Sequence, residues 1–188
     1  MKNTSDQQRV KNYLEGNTAA FEEIFDRYYK RAEYFFYKML WNDKEKAEGY
    51  AQDLFLKVIE KAKTYNPELS FKTWLFSIAN NMCKNEYRKK EVEDKSKNHF
   101  TQNGTFYENS KAEQKIDEST FLNHLFEALK EEPIEKKSAF LLKHLEFLSI
   151  KEISESLGIP EGTVKSGLHY TTKKLSKKLS HFKSIRYE

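Results

Sequence analysis

Between Phe71 and Lys90 the sequence FKTWLFSIANNMCKNEYRKK sets three kinds of side chain on one element. Trp74, Leu75, Ile78, Ala79, Met82 and Cys83 recur at helical spacing and mark an apolar stripe. The opposite face carries Lys72, Thr73, Ser77, Asn80, Asn81, Lys84 and Asn85, then runs out into Arg88, Lys89 and Lys90. Short amides and hydroxyls read base edges, Lys and Arg neutralise phosphates, and an aromatic such as Trp74 stacks on an unpaired base. The chemistry on offer is recognition of nucleic acid, with no bond made or broken. The same residues also suit a core helix whose basic last turn complements its macrodipole, so this helix alone leaves both readings open.

A second set lies near the other end of the chain. Ser149 is placed to cap a short helix bearing Ile150, Ile153 and Leu157, which Gly158 ends as a left-handed C-terminal residue. A last helix then starts around 160–162 and carries Val164, Leu168, Thr172, Leu175 and Leu179 inward. Short helix, tight Gly turn and longer helix with a basic outer face is the layout of a helix-turn-helix, whose second helix enters the major groove by its N-terminal half. Here that half presents Glu161, Gly162, Thr163, Lys165, Ser166, His169 and Tyr170, with Lys173, Lys174, Lys177 and Lys178 following toward backbone phosphates. A small helical bundle with a solvated lysine face is the structural alternative.

Stepping outward, 188 residues with 38% hydrophobic and 14% aromatic content suffice for one domain or two small ones. Three Pro, six Gly and no sustained alternation of apolar and polar residues predict an all-α chain. The formal charge of +4 is compatible with nucleic acid without demanding it. Both ends of the chain are net basic and the segment between them is acidic. A single Cys83 on the apolar stripe excludes a disulfide framework and reads as a small buried hydrophobe. His99, His124, His144, His169 and His181 lack ligand spacing, and there is no Gly-rich phosphate loop, so no metal, cofactor or catalytic set is expected. The N-terminus has no apolar signal region and no run is long enough to span a membrane, which predicts a cytoplasmic protein.

The elements that must hold these residues follow from periodicity. Ala20 to Leu40 puts Phe21, Ile24, Phe25, Tyr28, Tyr29, Ala32, Phe35, Phe36, Met39 and Leu40 on one stripe. Asp43 caps a helix to about Lys63 with Ala47, Ala51, Leu54, Phe55, Val58, Ile59 and Ala62 inward and Glu48, Gln52, Asp53, Lys57 and Glu60 outward. The Asn-Pro turn of Tyr65 to Ser70 folds the Phe71 helix back on it. Residues 91–118 are polar and aperiodic, a linker in which Phe100, Phe106 and Tyr107 are loosely held. Phe121, Leu122, Leu125, Phe126 and Leu129 open a second module, and Pro133 starts its next helix, which continues to about Phe147. The expected architecture is two small helical domains, 1–90 and 119–188, joined by a flexible linker over 91–118, so that the two can act at separate places.

At this point the chain resembles a bacterial RNA polymerase sigma factor of the extracytoplasmic-function (ECF) type. AEGYAQDLFLKVIEKA is similar to the family's clamp-binding helix, FKTWLFSIANNMCKNEYRKK to its segment that binds and melts the −10 element, and IKEISESLGIPEGTVKSGL to its −35 reader. The resemblance covers about residues 18–182. It implies that Gln52 and Asp53, beside Glu48 and with Phe55 supporting them from the core, grip the polymerase clamp. It puts Asn81 and the Tyr65 to Lys72 loop, Asn66 included, where the unpaired −10 strand is held, alongside Lys72, Thr73, Trp74, Ser77, Asn80, Lys84 and Arg88 of the helix. Gly162, Thr163, Lys165 and Ser166 fall on the −35 contacts, with His169 and Tyr170 on the same face. The implied partners are core RNA polymerase through its clamp and flap, promoter DNA both duplex and single-stranded, and an anti-sigma factor clamped between the domains. Gly49 stands where the family commonly has an acidic residue, and Gly167 and Tyr170 where it often has Arg, which removes strong guanine readers from those positions. A stand-alone helix-turn-helix regulator, using the same last helix but binding duplex as a dimer, is the competing reading.

Overall fold

The computed structural model describes residues 4–98, 118–180 and 182. Among them every regular element is helical: α1 (Asp6–Leu14), α2 (Thr18–Met39), α3 (Lys44–Lys61) running into a 3-10 turn (Ala62–Thr64), α4 (Phe71–Asn98), α5 (Glu118–Lys130), α6 (Ile134–His144), α7 (Ile150–Leu157) and α8 (Glu161–Lys178). The linker aromatics Phe100, Phe106 and Tyr107, with His99 and His181, lie outside the described residues.

The first module closes α2, α3 and α4 around an aromatic core. Phe35, Phe36, Leu54, Leu75 and Phe76 are wholly buried, and the Phe35 and Phe76 rings meet edge-on with centroids 5.3 Å apart. Burial of this kind contributes about 1.5–3 kcal/mol per large side chain before entropy is subtracted. Asp43 accepts from the Lys46 N–H at 3.0 Å and starts α3 as its sequence suggests.

The structure departs from the sequence pattern at several points. The polar start is helical: α1 is capped by Ser5 and tied to α2 by polar groups, Arg9 to Glu23 at 2.6 Å and Tyr28 Oη to Asp6 at 2.6 Å, so apolar periodicity does not report it. Helix α4 continues through Asn98 rather than ending near Lys90, helped on its outer face by Glu91 pairing with Lys95 at 2.7 Å. Phe25 and Ile59 sit at the edges of their stripes, 36% and 43% exposed. Finally, α6 ends at His144, and Phe147 stands in the loop beyond it at φ 55°, the left-handed region, with 80% of its surface in solvent.

The second module packs α5, α6, α7 and α8 around Leu129, Leu141, Leu142, Ile153, Val164 and Leu175. Ser149 and Glu152 form a complete capping box on α7, and Gly158 ends that helix at φ 67°. Within α8 the inward threonine is Thr171 rather than Thr172, since Val164, Leu168, Thr171 and Leu175 follow the helical period more closely.

The modules are not apart. Helix α7 lies along α4 and α6 crosses α2, so the two halves form one body in this structure. The seam joins the buried apolar residues of both halves into one cluster, with Tyr34 edge-on to Phe126, and adds polar ties from Ser138, Ser156 and Lys72.

Candidate nucleic-acid interface

Three surfaces carry the residues singled out above. On α3, Glu48, Gln52 and Asp53 are exposed side by side, while Phe55 is 3% exposed and wedged beneath them against Phe21, Phe25 and Tyr29. Leu56 and Ile59 share that outer face at 59% and 43% exposure. Two solvent-facing aliphatics beside Gln52 and Asp53 are what a protein-binding face needs at its centre. Leu56 was visible in the sequence as an apolar residue out of phase with the buried stripe.

On α4 and the loop before it, the candidates divide. The loop is locked by Tyr65 Oη donating to the Leu69 carbonyl at 2.6 Å and by the Glu68 N–H donating to Asn66 Oδ1 at 3.0 Å, which holds Asn66 out in solvent. Trp74 is half-buried, its ring 5.1 Å from Tyr65 and 5.8 Å from Phe71, so it is braced on one side. Ser77 turns back to the Trp74 carbonyl at 2.7 Å. Asn81 and Arg88 are exposed and Lys84 is partly so.

The remaining three candidates of that face are engaged by the second module. Asn80 is wholly buried and its Oδ1 accepts from Ser138 Oγ at 2.8 Å, leaving Nδ2 without a partner. Thr73 is 1% exposed and its carbonyl accepts from Ser156 Oγ at 3.0 Å. Lys72 donates to the Glu146 carbonyl at 2.7 Å. The Glu146 carboxylate meets Arg31 at 2.5 Å; burial raises its pKa, and the Arg31 and Lys72 charges oppose that rise.

On α8, by contrast, Gly162, Thr163, Lys165, Ser166, His169 and Tyr170 are all exposed. Val164 and Thr171, 1% and 0% exposed, anchor the helix from behind, and Ser154 Oγ donates to the Ile159 carbonyl at 2.5 Å to tighten the turn. Tyr170 is 62% exposed with only His169 edge-on beside it. Lys165 pairs loosely with Glu161 at 3.6 Å across an exposed turn, an interaction worth little and readily exchanged for phosphate. Gly167 has room for a side chain, since a Cβ there would meet nothing nearer than Lys136 Cγ at 3.8 Å. The far-end lysines are less uniform than the sequence suggests, because Lys174 pairs with Glu132 at 2.5 Å and Lys178 with Glu131.

One module thus presents an exposed polar helix, and the other a partly covered basic face with a braced indole. Comparison with known proteins decides the family. Residues 24–92 match the Sigma-70 region 2 model and residues 123–175 the Sigma-70 region 4 model. The chain is 30% identical over 178 residues to the ECF RNA polymerase sigma factor SigW of Bacillus subtilis, covering 91% of this chain and 95% of that protein. It belongs to the ECF sigma factors of the sigma-70 family. A second B. subtilis relative, the ECF sigma factor SigX, is 25% identical over 89% of this chain and 86% of its own. The fold is shared with the sigma factor RpoE of Bartonella quintana, solved with the anti-sigma factor NepR: TM-score 0.68, 20% identity, 85% of this chain and 96% of that one. It is also shared with CnrH, solved with the cytosolic domain of CnrY: TM-score 0.69, 18% identity, 95% and 99% covered.

As an ECF sigma factor the chain is a non-enzymatic initiation factor that binds core RNA polymerase and directs it to specific promoters. The region 2 match over α2 to α4 has no place in a stand-alone helix-turn-helix regulator, so that reading is set aside. No helix among the described residues is long and apolar enough to cross a membrane.

Proposed function

We propose that this sigma factor divides promoter recognition among the three surfaces by residue. Thr163, Lys165 and Ser166 of α8, with Gly162 allowing close approach and His169 and Tyr170 flanking, read the −35 duplex in the major groove. Asn66, Trp74, Ser77, Asn81, Lys84 and Arg88, joined by Lys72, Thr73 and Asn80 once uncovered, hold the unpaired −10 strand. Glu48, Gln52 and Asp53, propped by Phe55 and extended by Leu56 and Ile59, grip the polymerase clamp, and the second module meets the flap. Two domains about a linker fit this division, with the limits expected at 90 and 119 moved to Asn98 and Glu118 by α4 and α5, as does a cytoplasmic location. An anti-sigma factor is a further expected partner, in line with those that RpoE and CnrH were solved with.

The observation that best supports this reading is the braced, half-exposed Trp74 beside exposed Asn81 and Asn66 on one basic face. A ring fixed from behind and open in front is prepared for stacking, which contributes about 1–3 kcal/mol per base. Capturing a base already out of the stack offsets an unstacking cost of about a few kcal/mol, so the open strand is favoured without covalent chemistry. Each module makes few phosphate contacts, so tight binding requires both to be held on one polymerase.

The test is run-off transcription with bacterial core polymerase over a library of genomic fragments. Discrete transcripts that appear only when the chain is added support the proposal. Tight binding to duplex operators without polymerase, and no transcript in its presence, would contradict it.

A further inference from the structure

Helix α8 carries its exposed side chains on two flanks of different chemistry. Thr163 and Tyr170, seven residues apart, share one line along the helix; Ser166 lies between them just to one side, and Lys165 falls on the opposite flank. All four are exposed, Tyr170 with 62% of its surface in solvent and the His169 ring edge-on beside it. Long side chains on a helix lean toward its N-terminus, so Tyr170 serves the turn that carries Ser166. One turn before Ser166, Gly162 adds no side chain, and a Cβ there would meet nothing within 4 Å. The short hydroxyls of Thr163 and Ser166 are therefore the outermost groups at the tip of the helix.

The hydrogen of Ser166 is already committed, because its Oγ donates to the Thr163 carbonyl at 3.1 Å. A carbonyl can only accept, so what Ser166 offers outward is lone pairs, and toward DNA it acts as an acceptor. In the major groove an acceptor meets an exocyclic amine, adenine N6 or cytosine N4. The next groups across the pair separate these cases: thymine O4 and its C5 methyl in an A·T pair, the guanine O6 and N7 acceptors in a C·G pair. Beside Ser166 stand the Thr163 methyl and the Tyr170 ring, apolar surface that suits a methyl. Guanine acceptors are better met by Arg or Lys. Helix α8 has no Arg, and Lys165, the only lysine among residues 161–170, stands on the far flank in a loose pair with Glu161 at 3.6 Å.

We propose that Ser166, Thr163 and Tyr170 together read one A·T base pair in one orientation, with the adenine amine on Ser166 and the thymine methyl on Thr163 and Tyr170. This rests on the assignment of α8 to the −35 duplex and names the base pair it selects. Tyr170 is the specificity-determining residue, since Ser166 alone accepts from adenine and cytosine equally. Lys165 is left for a guanine or a phosphate on the other flank.

The experiment uses holoenzyme assembled from bacterial core polymerase and the full chain, bound in competition to a promoter recovered by run-off. Each thymine of its −35 duplex is replaced in turn by deoxyuridine, which lacks only the methyl, and each adenine by purine deoxyriboside, which lacks only the amine. With wild type, one A·T pair should answer to both: binding about fourfold weaker without the methyl, the value of one buried methyl group, and about two- to tenfold weaker without the amine. Tyr170→Phe, which keeps the ring, should retain both responses. The Thr163→Ser, Tyr170→Ala pair should bind the unmodified promoter more weakly and lose the methyl response, whereas Ser166→Ala should lose the amine response alone. A methyl response of wild-type size in the Thr163→Ser, Tyr170→Ala pair, or its loss in Tyr170→Phe, would overturn the proposal. Weaker binding to a scrambled −35 duplex with no response to any deoxyuridine would overturn the choice of base pair alone. A scrambled duplex bound as tightly as the original would strike the assignment of α8 itself.

Discussion

The two faces proposed to read DNA are built from similar side chains and left in opposite conditions. On α8 every candidate contact is exposed and the supporting apolar residues are behind it; on α4 the candidates are split, with Asn66, Asn81 and Arg88 in water and Thr73 and Asn80 sealed beneath α6 and α7. Duplex reading in a groove requires a preformed convex helix, and nothing is gained by hiding it. A face proposed to hold a single strand, with short amides and a braced indole, is a different matter, because fully exposed it would meet any single strand. The contrast is between a face held open and a face partly covered.

The largest effect should come from breaking the α4 face. Asn81→Ala and Trp74→Ala are expected to lower the rate of open-complex formation by about 10- to 100-fold, from the loss of about 1–3 kcal/mol of base capture. Potassium permanganate reactivity of promoter thymines checks this, and retention of upstream duplex binding would show that the α8 face is untouched.

Next is the α8 face. Lys165→Ala with Ser166→Ala should cost about 1–3 kcal/mol at the preferred −35 sequence and little at altered ones. Lys177→Ala should instead weaken all promoters alike and reduce the salt slope by about 1. Lys177 is a cleaner choice than Lys178, which is already paired with Glu131. Competition titrations on promoter variants at two salt concentrations distinguish the patterns, and equal losses for both substitutions would erase the distinction between reading and anchoring.

The seam between the faces has its own signature in pH. Burial lowers the Lys137 pKa from 10.5 to about 8; the Cys83 and Glu127 charges oppose the fall, Lys130 and Lys38 add to it, and Tyr87 is the remaining titratable neighbour. The folded chain therefore gives up this proton first, so its stability rises as pH rises from about 8 toward 10.5 and gains nothing from this group below 8. The thermal midpoint of wild type should show this contribution across that window. Lys137→Met, which fills the same space without a charge, should flatten the dependence and raise stability at pH 7.

The smallest effect lies between the two faces. Phe147 occupies a left-handed φ of 55° that costs a side-chain-bearing residue about 1 kcal/mol, and its exposed ring recovers little. Phe147→Gly should raise stability by about 0.5–1 kcal/mol, read as a thermal shift of a few degrees.

Much of this organisation is legible in the residues. The aromatic stripe of α2, the Asp43 cap, the Asn-Pro turn, and the Ser149 box with Gly158 each announce an element because local chemistry and burial agree there. The exposed −35 candidates are legible for the same reason, since α8 shows its polar side to water. What the sequence conceals is contact between polar groups distant along the chain. Nothing in Ser138 or Ser156 says that they sit on Asn80 and Thr73, and Lys137 reads as a surface lysine until its neighbours are known. Helix α1 is hidden for a related reason: ion pairs and a tyrosine hydroxyl hold it to α2, and these have no period.

The most direct test of the whole account is a paired permanganate and DNase I footprint, the first reading opened thymines and the second upstream duplex protection, of polymerase on a promoter recovered by run-off, formed with wild type, with Asn81→Ala and with the Lys165→Ala, Ser166→Ala pair. The account predicts reactive thymines around −10 with wild type, their loss with upstream protection intact for Asn81→Ala, and loss of both only at promoters carrying the preferred −35 sequence for the pair. Wild type that leaves the thymines unreactive, or an Asn81→Ala protein that opens the promoter as well as wild type, would contradict it.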